Sequence, residues 1–204
     1  MDLRYPLTRY VYRPVSVPIA ARLVPTRVTP MQITLLSAVF AAAGAVAVGS
    51  GRYVLGVALT LVGAITDCVD GDLARISNKT SRAGAYLDSV LDRWTDAALI
   101  VGLGWSNPET YGPAAAGALV GSFLVSYTRS RAQSLGIDPQ QGIAGRDARM
   151  LILMLAALFN AVLAGLWLVA VLSTITAVHR MVWSMRALDR YDRAHSAEAR
   201  DAGP

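Results

Sequence analysis

The sequence predicts an all-α integral membrane protein with six transmembrane helices and an interfacial amphipathic segment at the N-terminus. Apolar residue types make up 54% of the 204 residues and charged types only 16%, against roughly 25% charged residues in a typical soluble domain. Residues 28–51, 110–128 and 150–179 contain no Asp, Glu, Lys or Arg. A bilayer crossing needs about 20 apolar residues. This composition excludes a disordered chain and argues against a soluble enzyme.

Six helices account for the apolar stretches. The last stretch is too long for a single crossing, and Asn160 and Gly165 offer a turn within it. The predicted crossings are residues 29–49, 53–76, 82–105, 110–133, 147–163 and 165–187. The chain then divides into an interfacial arm or helix at residues 1–28, a six-helix membrane domain at 29–190 and a polar C-terminal tail at 191–204, which is expected to be disordered from Ala194 onwards.

The N-terminal arm is expected to lie on the membrane surface, because tyrosines and aliphatic residues alternate with arginines there. Of the 19 basic residues, 17 border the same side of the predicted bundle, and only Arg52 faces the other. By the positive-inside rule that side is cytoplasmic. We therefore expect a multi-pass protein of the cell membrane with both termini in the cytoplasm, and no nucleic-acid partner.

Four aspartates are spaced to face one another from two neighbouring helices. Asp67 and Asp70 lie on one face of the second predicted span, and Asp88 and Asp92 lie on one face of the third. The connection at residues 76–83 is short enough to make the two helices antiparallel neighbours. Ionisable groups at membrane depth are costly and usually mark a functional site.

The aspartate cluster predicts a divalent cation site. Close carboxylates repel one another, so keeping them ionised in a membrane requires cations. Oxygen ligands without His or Cys suit Mg²⁺ or Mn²⁺, and the single cysteine, Cys68, excludes a Cys-rich zinc site. The alternative is a buried ion network with Arg75, Arg82 and Arg93. Asp72 and Asp96 fall outside the pattern and are expected to be structural.

Small residues beside the acids leave space for a ligand. Gly71, Ala74 and Gly84 share helix faces with the aspartates, and Arg75 can pair with a phosphate. Cations, an arginine and a hollow together favour a nucleotide that carries a pyrophosphate, with phosphoryl transfer stabilised by charge and positioning.

These residues resemble the motif of the CDP-alcohol phosphotransferase family, D-x2-D-G-x2-A-R-x8-G-x3-D-x3-D. Eight residues match its fixed positions and gaps: Asp67, Asp70, Gly71, Ala74, Arg75, Gly84, Asp88 and Asp92. A weaker likeness to the family's first span lies at Thr29-Pro30-x3-Thr34. The resemblance implies a six-helix membrane fold, usually a homodimer, that joins an alcohol to a CDP-linked group and releases CMP.

The resemblance also implies roles for individual residues. The four motif aspartates would hold two metal ions, and Asp92 would also be the base that takes the proton of the acceptor hydroxyl. Gly71, Ala74 and Gly84 would make room for cytidine. Arg75 would contact the phosphates, with Thr34 nearby.

The acceptor is indicated by a second resemblance. The segment Ser126-Tyr-Thr-Arg129-Ser-Arg131-Ala132, together with Arg146-Asp-Ala-Arg149 and Arg180, resembles positions for the acceptor phosphate in phosphatidylinositol-phosphate and archaetidylinositol-phosphate synthases. Arg129, Arg149 and Arg180 could clamp a phosphate dianion. The alternative is that they are ordinary positive-inside charges. The predicted partners are a CDP-linked lipid donor and a phosphorylated polyol acceptor, inositol 1-phosphate by preference and glycerol 3-phosphate as the rival.

Two function classes remain as alternatives. A membrane prenyltransferase also uses Asp-rich helices and Mg²⁺, but no second acidic cluster follows Asp96. A cation-coupled transporter could use intramembrane carboxylates, but it would release no CMP.

Overall fold

The computed structural model describes residues 12–139 and 145–201, with side chains up to residue 193. Its elements are α1 (Arg13–Leu23), α2 (Pro30–Gly49), α3 (Tyr53–Ile76), α4 (Arg82–Trp105), α5 (Pro108–Ser134), α6 (Arg146–Leu158) and α7 (Val162–Asp201). The helices α2 to α7 follow the six predicted segments, so the all-helical class is confirmed for the described residues.

The helices begin where the sequence provides capping groups. Thr29 and Gln32 form a reciprocal capping box at the start of α2, and Pro30 occupies its first turn. The Ser81 hydroxyl accepts a hydrogen bond from the Gly84 backbone N–H at the start of α4. These caps satisfy backbone N–H groups that have no partner inside the helix.

The turn between the last two helices differs in one respect from the expectation. Asn160 adopts a left-handed conformation with φ of 55° and ends α6 as expected. Gly165, however, lies inside α7, where a Cβ would overlap the Ala156 side chain of α6. Gly165 therefore permits close packing of α6 on α7 instead of forming the turn.

Helix α2 lies at the centre of the site-bearing half of the bundle. It packs against both α3 and α4, whereas α3 and α4 barely contact each other. The approach of α4 is very close, because a Cβ on Gly102 would overlap the carbonyl oxygen of Ala45. The expectation that carboxylates of α3 and α4 face one another is confirmed for Asp67, Asp88 and Asp92. The two helices pack mainly on α2 and little on each other, so a hollow remains between them.

The exterior of the bundle is apolar. Val46 is 70% exposed, Val54 73% and Trp105 73%, whereas the buried core takes residues from all of the helices α2 to α7 and includes Leu103 and Leu166. Three helices among the described residues, namely α2, α3 and residues 162–193 of α7, are long and apolar enough alone to cross a bilayer. An apolar surface of this extent identifies a membrane protein.

Helix α6 is shorter than the span predicted at 147–163. Its 13 residues rise about 20 Å at 1.5 Å per residue, less than the roughly 30 Å of a hydrocarbon core. Helix α7 is longer than predicted and continues through the expected tail to Asp201. The backbone of residues 194–201 is thus helical instead of disordered, and residues 202–204 lie outside the described residues.

Helix α1 is anchored on α3 within the predicted N-terminal arm. Ser16 and Ala20 are fully buried against α3, while Val15 and Val17 are exposed. Tyr12, expected at the membrane surface, is instead only 6% exposed. Residues 1–11 of the arm, including Tyr5 and Tyr10, lie outside the described residues.

Candidate metal and nucleotide site

The hollow between α3 and α4 is a cavity of about 1540 Å³. All twelve residues predicted for the site line it: Thr34, Asp67, Asp70, Gly71, Ala74, Arg75, Gly84, Asp88, Asp92, Arg129, Arg149 and Arg180. Acidic side chains of α3 and α4 and basic side chains of α5, α6 and α7 therefore line one cavity.

Three of the four motif aspartates meet in this cavity. Asp67, Asp88 and Asp92 each offer a carboxylate oxygen, and these oxygens lie within 4.8 Å of one another. Their spacing of one helical turn along α4 places Asp88 and Asp92 on the side that faces α3. Oxygen-only donors in this arrangement fit a hard divalent cation such as Mg²⁺ or Mn²⁺.

Asp70 is close to this group but is held differently. Its carboxylate is buried and accepts a hydrogen bond from the Thr34 hydroxyl of α2. The Thr34 hydroxyl oxygen also lies 3.1 Å from the carbonyl oxygen of Pro30. Thr34 therefore touches an aspartate of the motif, a contact that its predicted place near the nucleotide did not include.

The small residues line the cavity as predicted. A Cβ on Gly71 would lie 3.4 Å from Nη2 of Arg75, and a Cβ on Gly84 would lie 3.1 Å from Oγ of Ser81. Ala74 lines the same wall. A larger side chain at Gly71 would therefore displace the Arg75 guanidinium and occupy space in the cavity.

Arg75 is oriented by Asp72, which is 3% exposed. The Arg75 Nη2 lies 2.8 Å from Oδ1 of Asp72, and the Ser16 hydroxyl donates to Oδ2 at 2.6 Å. Arg13 approaches the same carboxylate at 3.3 Å. The structural role expected of Asp72 is confirmed by these contacts, which join α1, α3 and Arg75.

Arg146 contacts the acid cluster, and residue spacing did not predict this contact. Its Nη1 lies 2.6 Å from Oδ1 of Asp92 and 3.3 Å from Oδ2 of Asp67. Its Nε lies 3.3 Å from Oδ1 of Asp96. In the sequence, Arg146 was named only as part of the acceptor segment beside Arg149. Its position one helical turn before Arg149 could have indicated that both side chains lie on the same face of the helix.

The three predicted acceptor arginines differ in burial. Arg149 is 4% exposed and its Nη2 lies 2.6 Å from Oδ2 of Asp96, a contact of the kind expected for a structural aspartate. Arg180 is 6% exposed and its Nη1 donates to the carbonyl oxygen of Val125 at 2.8 Å. Arg129 is more exposed, with Nε 3.9 Å from Asp138. The positive-inside rule needs charges near the membrane surface and does not require that they be buried in a cavity. The burial of Arg149 and Arg180 therefore favours a binding role for them.

Tyr12 contributes to the cavity wall from the start of α1. Burial, reinforced by the nearby Asp147, raises the pKa of the Tyr12 phenol above its usual value. The hydroxyl is therefore a neutral hydrogen-bond donor and acceptor at physiological pH. Sequence spacing gave no indication of this role.

The sequence model of the CDP-alcohol phosphatidyltransferase family matches residues 24–185. The chain belongs to this family, and it is an enzyme of the transferase class. The family assignment sets aside the two alternatives from other classes, a prenyltransferase and a cation-coupled transporter.

The chain is also similar in sequence to individual proteins of other organisms. The chain is 35% identical over 163 residues to an archaetidylinositol phosphate synthase of Pyrococcus horikoshii, covering 79% of this chain and 86% of that protein. It is 41% identical over 183 residues to a bifunctional IPC transferase and DIPP synthase of Rubrobacter xylanophilus, covering 87% of this chain but 42% of that longer protein.

The fold matches solved structures of the phosphatidylinositol phosphate synthase of Mycobacterium tuberculosis. The structure with CDP-DAG bound has a TM-score of 0.77 and 29% sequence identity, covering 84% of this chain and 94% of that one. A second structure of the same enzyme, in complex with manganese and citrate, also has a TM-score of 0.77.

Proposed function

We propose that the protein transfers a phosphatidyl-type group from a CDP-linked lipid to the hydroxyl of a phosphorylated polyol, with inositol 1-phosphate as the preferred acceptor. The observation that carries the proposal is the shared cavity, in which grouped carboxylates and buried arginines face the same space. Similarity to an archaetidylinositol phosphate synthase and to a phosphatidylinositol phosphate synthase supports the choice of acceptor.

The aspartates are assigned to the reacting phosphates. Two divalent ions would be held by Asp67, Asp70, Asp88 and Asp92. These ions would neutralise the negative charge of the pyrophosphate and of the departing CMP. Asp92 accepts the proton of the acceptor hydroxyl. The hydroxyl oxygen then bonds to the lipid-linked phosphorus as the anhydride bond to CMP breaks.

The part of the hollow beside the aspartates is assigned to the nucleotide. Gly71, Ala74 and Gly84 leave space for the cytidine ring, and Arg75, fixed by Asp72, contacts the donor phosphates. Thr34 serves this site indirectly, because its hydroxyl fixes the Asp70 carboxylate.

The arginines of α5, α6 and α7 are assigned to the acceptor phosphate. Arg149 and Arg180 are held in place by Asp96 and by the Val125 carbonyl oxygen. Arg129 would complete the clamp at the more open side. Preorganised guanidinium groups bind a phosphate dianion at little entropic cost.

An acceptor panel tests this assignment. Membranes containing the protein receive CDP-diacylglycerol, Mn²⁺ and one radiolabelled acceptor: inositol 1-phosphate, glycerol 3-phosphate, inositol or serine. We expect lipid-soluble label chiefly from inositol 1-phosphate, together with metal-dependent CMP release. Preference for glycerol 3-phosphate would reassign the acceptor, and efficient use of inositol or serine would refute the phosphate clamp.

The donor is tested in the same assay. A water-soluble CDP-alcohol replaces CDP-diacylglycerol, with CMP release as the measurement. We expect the lipid donor to be used far better, since the outer surface of the bundle is apolar. Equal use of the soluble donor would contradict a lipid substrate.

We further propose that all six helices α2 to α7 cross the cell membrane, the short α6 with local thinning of the bilayer around it. Both termini are then cytoplasmic, α1 lies on the inner membrane surface, and two chains form a homodimer. Single cysteines placed in the 50–52 and 77–81 connections of a Cys68→Ser chain test the topology. We expect a membrane-impermeant thiol reagent to label only the 50–52 connection in intact cells. Cross-linking in membranes measures the dimer.

A further inference from the structure

The guanidinium of Arg146 contacts two carboxylates that the proposed cation site requires. Nη1 of Arg146 lies 2.6 Å from Asp92 and 3.3 Å from Asp67, and these are two of the three grouped aspartates. A carboxylate oxygen that is engaged by this guanidinium is less available to a cation. Arg146 and a divalent ion therefore compete for the same ligands.

Arg146 also has a second set of partners outside the acid cluster. Its Nε lies 3.3 Å from Oδ1 of Asp96, and its Nη2 donates to the Thr95 hydroxyl at 3.3 Å. Asp96 is itself fixed, because Arg149 lies 2.6 Å from its other oxygen. These contacts can retain the guanidinium at the cavity wall after Asp92 and Asp67 are given up.

Repulsion between the grouped carboxylates explains why a positive charge is needed beside them. Three grouped carboxylates in a partly buried site repel one another strongly when no cation is present. The Arg146 side chain is 28% exposed, so its attraction to them is only partly screened. It stabilises the bundle before metal binding, and the same attraction opposes metal binding.

We propose that Arg146 is the resident counter-ion of the acid cluster. It holds Asp92 and Asp67 in the metal-free protein and yields them to the divalent cation while it stays on Asp96 and Thr95. The proposal rests on the proposed cation site and adds a residue that sets its affinity. Arg146 is a positioning residue in this scheme, since it acts through the aspartates.

The test measures Mn²⁺ binding to the purified full-length chain in detergent, from the electron paramagnetic resonance signal of free Mn²⁺. Arg146→Gln removes the competing charge, and Arg93→Gln is the matched control. Arg93 also approaches Asp92, at 3.4 Å, but its side chain is 38% exposed. We expect Arg146→Gln to bind Mn²⁺ about tenfold more tightly, and Arg93→Gln to change the affinity by less than about threefold.

Thermal unfolding provides an independent measurement. Without metal, Arg146→Gln should unfold at a lower temperature than the unaltered chain, and added Mn²⁺ should raise its Tm by more. Arg146→Lys keeps the charge but not the forked geometry, and it should bind Mn²⁺ with intermediate affinity. This variant preserves the test if Arg146→Gln does not fold.

Unchanged or weaker Mn²⁺ binding by both Arg146 variants would overturn the proposal. Equal tightening by Arg93→Gln would also overturn it, since the effect would then reflect net charge alone. Failure of the unaltered chain to bind Mn²⁺ is a different result, because it would refute the cation site itself and the counter-ion role with it.

Discussion

The Ser16 hydroxyl donates a 2.6 Å hydrogen bond to the Asp72 carboxylate, and both side chains are buried. The other oxygen of Asp72 receives the Arg75 guanidinium at 2.8 Å. One carboxylate therefore attaches the first helix and orients a residue assigned to the donor phosphates. Loss of the hydrogen bond from Ser16 to Asp72 should therefore disturb the position of the Arg75 guanidinium.

Ser16→Ala should lower both stability and affinity for the donor. The change leaves a buried carboxylate oxygen without its donor, at a cost of about 1–3 kcal/mol. We expect a lower Tm and a raised KM for CDP-lipid with little change in kcat. Ser50→Ala, at the exposed end of α2, is the control. A lower Tm with an unchanged KM would mean that α1 contributes stability alone.

Asp92→Asn should abolish turnover while CDP-lipid binding is largely kept. The amide cannot accept the hydroxyl proton, and general-base catalysis is worth about 10²–10⁴-fold in rate. CMP release gives the rate and equilibrium binding of CDP-lipid gives the affinity. Asp189→Asn, on the exposed part of α7, should be neutral. A rate close to that of the unaltered chain would show that the base is another group.

Gly71→Leu should weaken donor binding by about tenfold or more. Its side chain would enter the cavity and displace Arg75, whose Nη2 lies 3.4 Å from the position of a Cβ. Leucine favours helix over glycine by about 0.8 kcal/mol, so local helix formation is not impaired. Gly112→Leu in α5, where a Cβ would meet no atom within 4 Å, is the matched control. Equal KM values for CDP-lipid in the two variants would contradict the nucleotide hollow.

Arg180→Gln should raise the KM for the phosphorylated acceptor by about 10- to 100-fold, the range expected for a charged hydrogen bond. The preference for inositol 1-phosphate over inositol should fall in parallel, which simple destabilisation would not cause. Arg186→Gln, on the exposed face of the same helix, controls for net charge. Retention of that preference in Arg180→Gln would exclude Arg180 from the clamp.

The helix boundaries could be predicted closely from the sequence. Charge-free stretches and the capping residues Thr29, Ser81 and Asn107 delimit the helices with local signals. The predicted segments 53–76 and 82–105 coincide with α3 and α4. The shortness of α6 was missed because a stretch without charges continues through the turn at Asn160.

The site was predicted in part, because its composition is local but its geometry is not. The motif spacing identified the aspartates and the small residues that line the cavity. The contact between Arg146 and Asp67 joins positions that are 79 residues apart, and helical periodicity carries no information over that distance. The bond between Thr34 and Asp70 likewise depends on how α2 meets α3.

The arrangement of α3 and α4 on a common support has a further consequence for the size of molecule that the protein can admit. Because each of these helices is secured to α2 and not to the other, a bulky headgroup can enter the gap without separating any tightly packed interface. The two seams with α2 contain glycines that permit close approach, and these seams set the width of the gap. Substitutions at these seams, remote from every reacting atom, should therefore alter which alcohols are accepted.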